Sequence, residues 1–276
     1  MKKSFPVVLL LAFLVFVNCS KSTSTDTESS GSTDPNVTIN KVPNLQGTGD
    51  SANDFLSNAN FDKLLIEIGY VTGFKPDETA IDDFIEFIKE TTFKETVEIQ
   101  YLELSSSGKE NLSINEVDDI IQEERTAYNT DDTLALFIYF SDAPSDEDEP
   151  EEDLVTLGAA FRNTSLVIYE STIIDLANKS FRVDVATVET ATLHHELGHL
   201  LGLVNIGTEM VNDHEGTFTN EDGVETPSQH CNQDGCLMRA ELEFGAAMKE
   251  AITAKNGQVP ELDVECLRDL RANGGR

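Results

Sequence analysis

The sequence predicts an α+β fold, in which helices pack on a β-sheet and a smaller, irregular C-terminal part follows. Three observations support this prediction. The segments run strand, helix, strand, helix and then three strands. A helix that carries the motif H-E-x-x-H comes next, and a polar stretch over residues 206–229 follows that helix. No internal repeat is visible, so we expect one core built from all of these elements.

The first part of the chain alternates strands with helices. Apolar and β-branched content, or strict alternation, predicts strands at Lys63–Val71, Thr96–Leu104 and Leu134–Phe140. Pro76 and Asp77 begin a helix, because the apolar residues after them recur at helical spacing. Asn115 is the predicted N-cap of a second helix, between the second and third strands.

The second part holds two strands, the motif helix and two short C-terminal helices. The strands are expected at Leu157–Phe161 and Ser165–Tyr169, and the helices from Val183, over Glu241–Lys255 and over Val264–Leu270. Residues 145–153 are almost all acidic and predict a solvated loop, with calcium binding as the open alternative.

The N-terminus predicts export. Lys2 and Lys3 precede an apolar run that is too short to span a membrane, so residues 1–19 are the predicted signal peptide. The run ends at Cys19 and resembles a bacterial lipobox, which implies a lipidated Cys19. Residues 20–53 are small and polar and predict a flexible tether, which leaves residues 54–276 as the domain. We therefore expect a lipid-anchored monomer of the bacterial cell envelope, periplasmic or surface-facing.

The charge balance argues against two kinds of partner. The formal net charge is −32 at pH 7. Such an acidic chain is repelled by phosphate backbones and by anionic lipid surfaces, so neither nucleic acid binding nor docking on such lipids is expected. The charge suits an exported domain but does not indicate a substrate.

The motif helix contains the clearest signal of chemistry. His195, Glu196 and His199 form H-E-x-x-H, and positions i and i+4 of a helix lie on one face. Two imidazoles on one face can bind one zinc ion, and the carboxylate of Glu196 can then accept a proton from a bound water. All five histidines of the chain fall between His194 and His230, as ligands of one ion would. His194 is expected to point away from the zinc.

With Gly202 included, the pattern H-E-x-x-H-x-x-G resembles that of the metzincin zinc peptidases. The resemblance implies a twisted mixed sheet, a sharp bend at Gly202 and a methionine-containing turn beneath the metal, here Met238. It also implies a zinc cofactor bound by His195 and His199, and Glu196 as the general base.

The family's third ligand, His or Asp, would stand at position 205, where this chain has Asn205. Three candidates are therefore open. His230 is preferred, because the run His230-Cys231-x4-Cys236-x-Met238 resembles the archaemetzincin branch. His214 and Asn205 are the alternatives.

The cysteines follow from the same resemblance. The archaemetzincin pattern continues to a C-x-x-C pair and a second, structural zinc, whereas this chain has only Cys266 there. In an oxidising envelope a Cys231–Cys236 disulfide is the preferred interpretation.

The predicted function is that of a zinc endopeptidase acting on peptides or proteins, in which Glu196 activates a zinc-bound water. The alternative is a non-catalytic envelope lipoprotein that binds metal or protein on a metzincin scaffold. Glu196 favours the enzyme, since a purely structural zinc site needs no such acid.

Overall fold

The computed structural model describes residues 39–149, 151, 154–181, 183–220 and 222–276. The predicted signal peptide, Cys19 and most of the predicted tether lie outside these residues. Within them, none of the helices is long and apolar enough to cross a membrane.

A five-stranded mixed sheet forms the centre of the described domain. Its strands are β1 (Lys63–Val71), β2 (Thr96–Leu104), β3 (Thr133–Phe140), β4 (Gly158–Phe161) and β5 (Ser165–Ile168). The strand order is β2-β1-β3-β5-β4. Strands β2, β1, β3 and β5 run parallel to one another, and β4 runs antiparallel to β5 at the edge of the sheet. The five predicted strands are confirmed.

Seven α-helices accompany the sheet in the described residues: α1 (Ala52–Leu56), α2 (Glu78–Thr91), α3 (Ile114–Glu124), α4 (Glu170–Asn178), α5 (Val185–Leu200), α6 (Gly245–Ala254) and α7 (Val264–Ala272). Side chains of Asp77 and Asp184 cap α2 and α5. The predicted cap of α3 at Asn115 is wrong. Ser113 caps this helix, because its hydroxyl and the Glu116 carboxylate form a reciprocal capping box.

The core lies on both faces of the sheet. Alternate residues of β3, such as Leu136 and Ile138, face the larger cluster together with α2 and α5. Phe137 and Tyr139 face the smaller cluster with α3. This period-two pattern places α5, which carries the motif, in the larger cluster against the sheet.

The domain begins earlier than the sequence predicts. Residues 39–53, assigned to the tether, include a 3-10 helix (Val42–Asn44) and the start of α1. The Asn44 side chain is fully buried and donates to Asn129 Oδ1 (2.7 Å), Thr164 Oγ1 (3.1 Å) and the Ala135 carbonyl (3.2 Å). A polar sequence packs here because its amides bind backbone and side-chain partners in place of water.

Three further segments differ from the prediction. Residues 206–229, expected to be irregular, include a two-stranded antiparallel hairpin of β6 (Glu215–Thr219) and β7 (Glu225–Cys231). Helix α4 was not predicted at all. The single helix expected over Glu241–Lys255 is a 3-10 helix (Ala240–Glu243) followed by α6.

Candidate metal centre

Helix α5, which packs in the core, carries two of the predicted ligands, His195 and His199. His195 and His199 lie one turn apart, and their ring centroids are 5.0 Å from each other. The helix ends at Leu200, and Gly202 then turns the chain with a φ of 80°. A side chain at Gly202 would collide with the Cβ of Ala52, so both its conformation and its surroundings require glycine here.

The third histidine reaches this pair from the end of β7. The ring centroid of His230 lies 5.4 Å from that of His195 and 4.9 Å from that of His199. The imidazoles of His195, His199 and His230 and the carboxylate of Glu243 offer ligand atoms that lie within 4.8 Å of one another. That these atoms hold a metal stays a prediction.

Hydrogen bonds orient two of the three rings toward a common point. His195 Nδ1–H donates to the Leu237 carbonyl at 2.8 Å, and His230 Nδ1–H donates to the Ser228 carbonyl at 2.7 Å. Such backbone bonds fix the tautomer in which Nε2 carries a lone pair. Within the described part of the chain, Nε2 of His195 and of His230 are buried without a hydrogen-bond partner. Buried nitrogens left in this state fit a metal ion.

Burial keeps the two helix histidines neutral. It lowers the pKa of His195 to about 4 and that of His199 well below its ordinary value, with the neighbouring histidines adding to both shifts. Burial also acts to lower the pKa of His230, but the nearby Glu243 carboxylate raises it by more, so the net shift is upward. Neutral imidazoles are the form that binds a metal.

Glu243 was not among the predicted site residues. Its Oε1 lies 2.9 Å from His230 Nε2 and 3.9 Å from His199 Nε2. His230 Nδ1–H already donates to the Ser228 carbonyl, so Nε2 of the neutral ring has no proton to donate to this carboxylate. Burial acts to raise the pKa of Glu243, but the His230 ring lowers it by more. No spacing rule marks this residue in the sequence.

Glu196 lies beside the histidines and is 1% exposed. Burial and the negative charge of Glu243 raise its pKa well above the ordinary value, against a backbone hydrogen bond at Ala160. A raised pKa makes this carboxylate a better proton acceptor when it is ionised. A nearby cation would favour that ionised form.

A cavity of about 430 Å³ joins these groups to the surface. It is lined by Thr48, Ala159, Ala160, Glu196, His199, Asn205, Ile206, Gly207, Gln229, His230 and Glu243. The lining therefore includes two carboxyl groups and no lysine or arginine. Ala159 and Ala160 belong to β4, so the edge strand of the sheet borders the cavity.

The other two candidate ligands, His214 and Asn205, are each paired with a carboxylate. His214 is fully buried, with Nε2 2.8 Å from Asp269 Oδ2, and it is not in the group of His195. Asn205 lines the cavity, but its amide donates to Glu215 Oε2 at 3.3 Å. The His194 ring stacks on Phe87 with centroids 4.2 Å apart.

A second group of ligating side chains consists of His214, Cys231, Asp263 and Cys266. His214 Nδ1 lies 3.4 Å from Cys231 Sγ, and that thiol donates to Asp263 Oδ2 at 3.0 Å. These two groups are the clusters of this kind in the described residues, and neither includes the acidic loop for which calcium was considered.

The structure corrects the predicted Cys231–Cys236 disulfide. All three described cysteines are buried free thiols, and Cys236 Sγ lies 3.6 Å from Cys266 Sγ. Cys236 and Cys266 are therefore not bonded to each other either, since the sulfur atoms of a disulfide lie about 2.05 Å apart. Hydrogen bonds from Cys231 and Cys266 lower the pKa of Cys236 to about 2, while the pKa values of those two thiols are raised. The thiolate is the form of cysteine that binds a metal.

Met238 packs beneath the motif helix. A Cβ atom at Gly198 would overlap Met238 Sδ and approach its Cε to 2.9 Å. Gly198 is thus the position of α5 that lets the chain around Met238 come close to the histidines. The assignment of this segment as a methionine turn remains an interpretation.

No protein-family model matches the sequence, and no curated protein matches it. Solved structures do match, among them the crystal structure of archaemetzincin from Methanopyrus kandleri. The two chains are 15% identical, and the match covers 77% of this chain and 96% of that one, with a TM-score of 0.45.

Proposed function

We propose that this chain is a zinc-dependent peptidase. The observation that carries the proposal is the convergence of His195, His199 and His230, each with an unpaired buried ring nitrogen. His199 and His230 line one open cavity together with the buried Glu196. Three neutral nitrogen ligands with an acid nearby is the ligand set of catalytic zinc, whereas structural sites are closed by four protein ligands.

A zinc ion held by the three imidazoles would polarise the scissile carbonyl and lower the pKa of a water molecule. Glu196 would accept a proton from the attacking water and return it to the leaving amine. The backbone bonds to His195 and His230 hold the two rings in the tautomer that this role needs.

The edge strand β4 is the proposed binding site for the substrate backbone. It pairs with β5 on one side and lies at the end of the sheet, and its Ala159 and Ala160 line the cavity. An extended peptide added to this edge would pass Glu196. Peptide or protein substrates are therefore proposed, and internal cleavage remains the preferred mode.

The envelope location is a further part of the proposal. It is supported by the apolar run before Cys19 and the polar stretch after it. A lipid on Cys19 would attach the protein to a membrane, with the domain facing the periplasm or the cell surface. The anchored protein is proposed to be a monomer.

The second cluster is proposed to hold a structural zinc. His214, Cys231 and Cys266, with Cys236 close by, offer the imidazole and thiolate ligands that zinc prefers. Such a site would require the thiols to stay reduced until the metal binds.

Zinc content and peptidase activity of three proteins test the main proposal. Wild type should cleave a peptide library, whereas Glu196→Gln should keep its zinc and lose about 10²-fold or more of kcat. His230→Ala should lose the zinc ion at the histidine site, which would lower the zinc content by one ion per chain. Glu241→Gln replaces an exposed acid, so it is the matched control and should leave both properties unchanged.

The same experiment addresses the alternative function. A non-catalytic lipoprotein would hold zinc at His195, yet no peptide would be cleaved by wild type or by any variant. Glu196→Gln would then be indistinguishable from wild type in both measurements.

A further inference from the structure

Glu243 lies where a fourth ligand could bind a metal that is held by the three histidines. Its Oε1 lies 2.9 Å from His230 Nε2, and it completes the group whose ligand atoms lie within 4.8 Å of one another. With a third of its side chain exposed, it lies at the boundary between the cavity and water.

The charge of the cavity points to the same role. Glu196 and Glu243 are both lining residues, and no lysine or arginine is present among the residues that line this cavity. Three neutral imidazoles contribute no charge. A divalent cation between two carboxylates would leave the cavity neutral, whereas either carboxylate alone would leave a net positive charge.

The backbone holds Glu243 where it can reach the site. The Leu157 amide, immediately before β4, donates to the Glu243 carbonyl at 3.1 Å, and the next residue, Phe244, pairs with Thr156. The carboxylate is thus anchored beside the strand proposed to bind substrate. A peptide bound along β4 would therefore lie next to this side chain as well as to Glu196.

We propose that Glu243 is the fourth protein ligand of the metal in the substrate-free protein, and that it must leave the metal before a peptide is cut. The inference rests on the proposed function. A fourth protein ligand occupies the position that the reactive water needs, so the resting site is closed. Its partial exposure lets the carboxylate exchange for water at small cost, unlike the buried histidines.

The test compares wild type, Glu243→Gln, Glu243→Ala and the control Glu241→Gln. Glu241 lies on the same 3-10 helix and carries the same charge, but it is exposed and pairs with Arg239. Zinc affinity is measured by competition with a chelator, the ligand set by the visible absorption of the cobalt(II) protein, and the open position by the affinity for acetohydroxamate.

Loss of the Glu243 carboxylate should weaken zinc binding by about 10- to 100-fold, the range typical of losing support for a metal site. The cobalt spectrum should change and acetohydroxamate should bind more tightly, while Glu241→Gln behaves as wild type. If either Glu243 variant fails to fold by circular dichroism, the other one decides.

Two results would overturn the inference. Unchanged zinc affinity would mean that Glu243 is a rim residue, and weaker binding with an unchanged cobalt spectrum would mean that it contributes charge without ligation. Both differ from failure of the proposed function, in which wild type itself would bind no zinc that depends on His230.

Discussion

A buried pair of carboxyl groups makes the stability of this fold depend on pH. Glu170, the first residue of α4, is 1% exposed, and Glu189 of α5 is fully buried. Glu189 Oε2 accepts from the Asp77 amide at 2.9 Å, where α2 begins. Burial and the charge and hydrogen bond of Glu189 raise the pKa of Glu170 to about 10, and burial raises that of Glu189 to about 7.

The sign follows from proton binding. Both pKa values are above the ordinary value of 4.5, so the folded state binds more protons than the unfolded state. The stabilisation that these two protons contribute is fully present below pH 4.5 and is lost as pH rises through about 7 and about 10. Each retained proton costs about 1.4 kcal/mol per pH unit, so the Glu170 proton alone lowers the free energy of unfolding by about 3 kcal/mol between pH 6 and pH 8.

Replacing Glu170 by Gln removes the contribution of Glu170 to this pH dependence. The amide can donate to Glu189 in place of the proton and does not titrate. Urea unfolding at pH 6, 7 and 8, with zinc present throughout, should show wild type losing stability relative to Glu170→Gln. The histidine contributions are common to both proteins and cancel in the difference. Parallel pH profiles for wild type and Glu170→Gln would refute the assignment. As a control, Glu86→Gln replaces an exposed acid of α2 and should follow wild type.

Three other substitutions have definite expected outcomes. Gly198→Ala should destabilise the protein by about 1–3 kcal/mol in urea unfolding, because its Cβ overlaps Met238; full stability would contradict the close packing. Asn44→Ala should lower the free energy of unfolding by about 1–3 kcal/mol, because the partners of its buried amide lose their hydrogen bonds. An unchanged urea midpoint would mean that residue 44 belongs to the tether and not to the domain. Cys266→Ser should lower zinc from two ions per chain to one by elemental analysis, and two ions in the variant would exclude Cys266 as a ligand.

The strands could be predicted from sequence because their patterns are strong. β1 and β2 have the predicted bounds, and β3 begins one residue earlier. Each has an apolar run or alternation that a helix would not produce. Helix α4 was missed because Glu170 follows β5 with no glycine, proline or cap side chain between the two elements.

The hairpin of β6 and β7 was missed for a different reason. A two-stranded ribbon with both faces near water needs no apolar alternation, and residues such as Glu225 and Ser228 give no strand signal. The candidate ligand His230 at its end could be proposed only from a resemblance, because the fold, and not the spacing, brings it to His195. The same limit applies to Glu243.

The two clusters are connected through the backbone, so the second can position the first. Cys231 follows His230 directly, and Cys236 precedes Leu237, whose carbonyl orients the His195 ring. The Cys231 amide donates to the Met238 carbonyl at 2.6 Å, which closes this turn beneath α5. Movement of the thiols would therefore displace His230, which precedes Cys231. It would also displace the Leu237 carbonyl, which accepts the hydrogen bond from His195. We accordingly expect Cys266→Ser to weaken zinc binding at the histidines as well, although no cysteine touches that site.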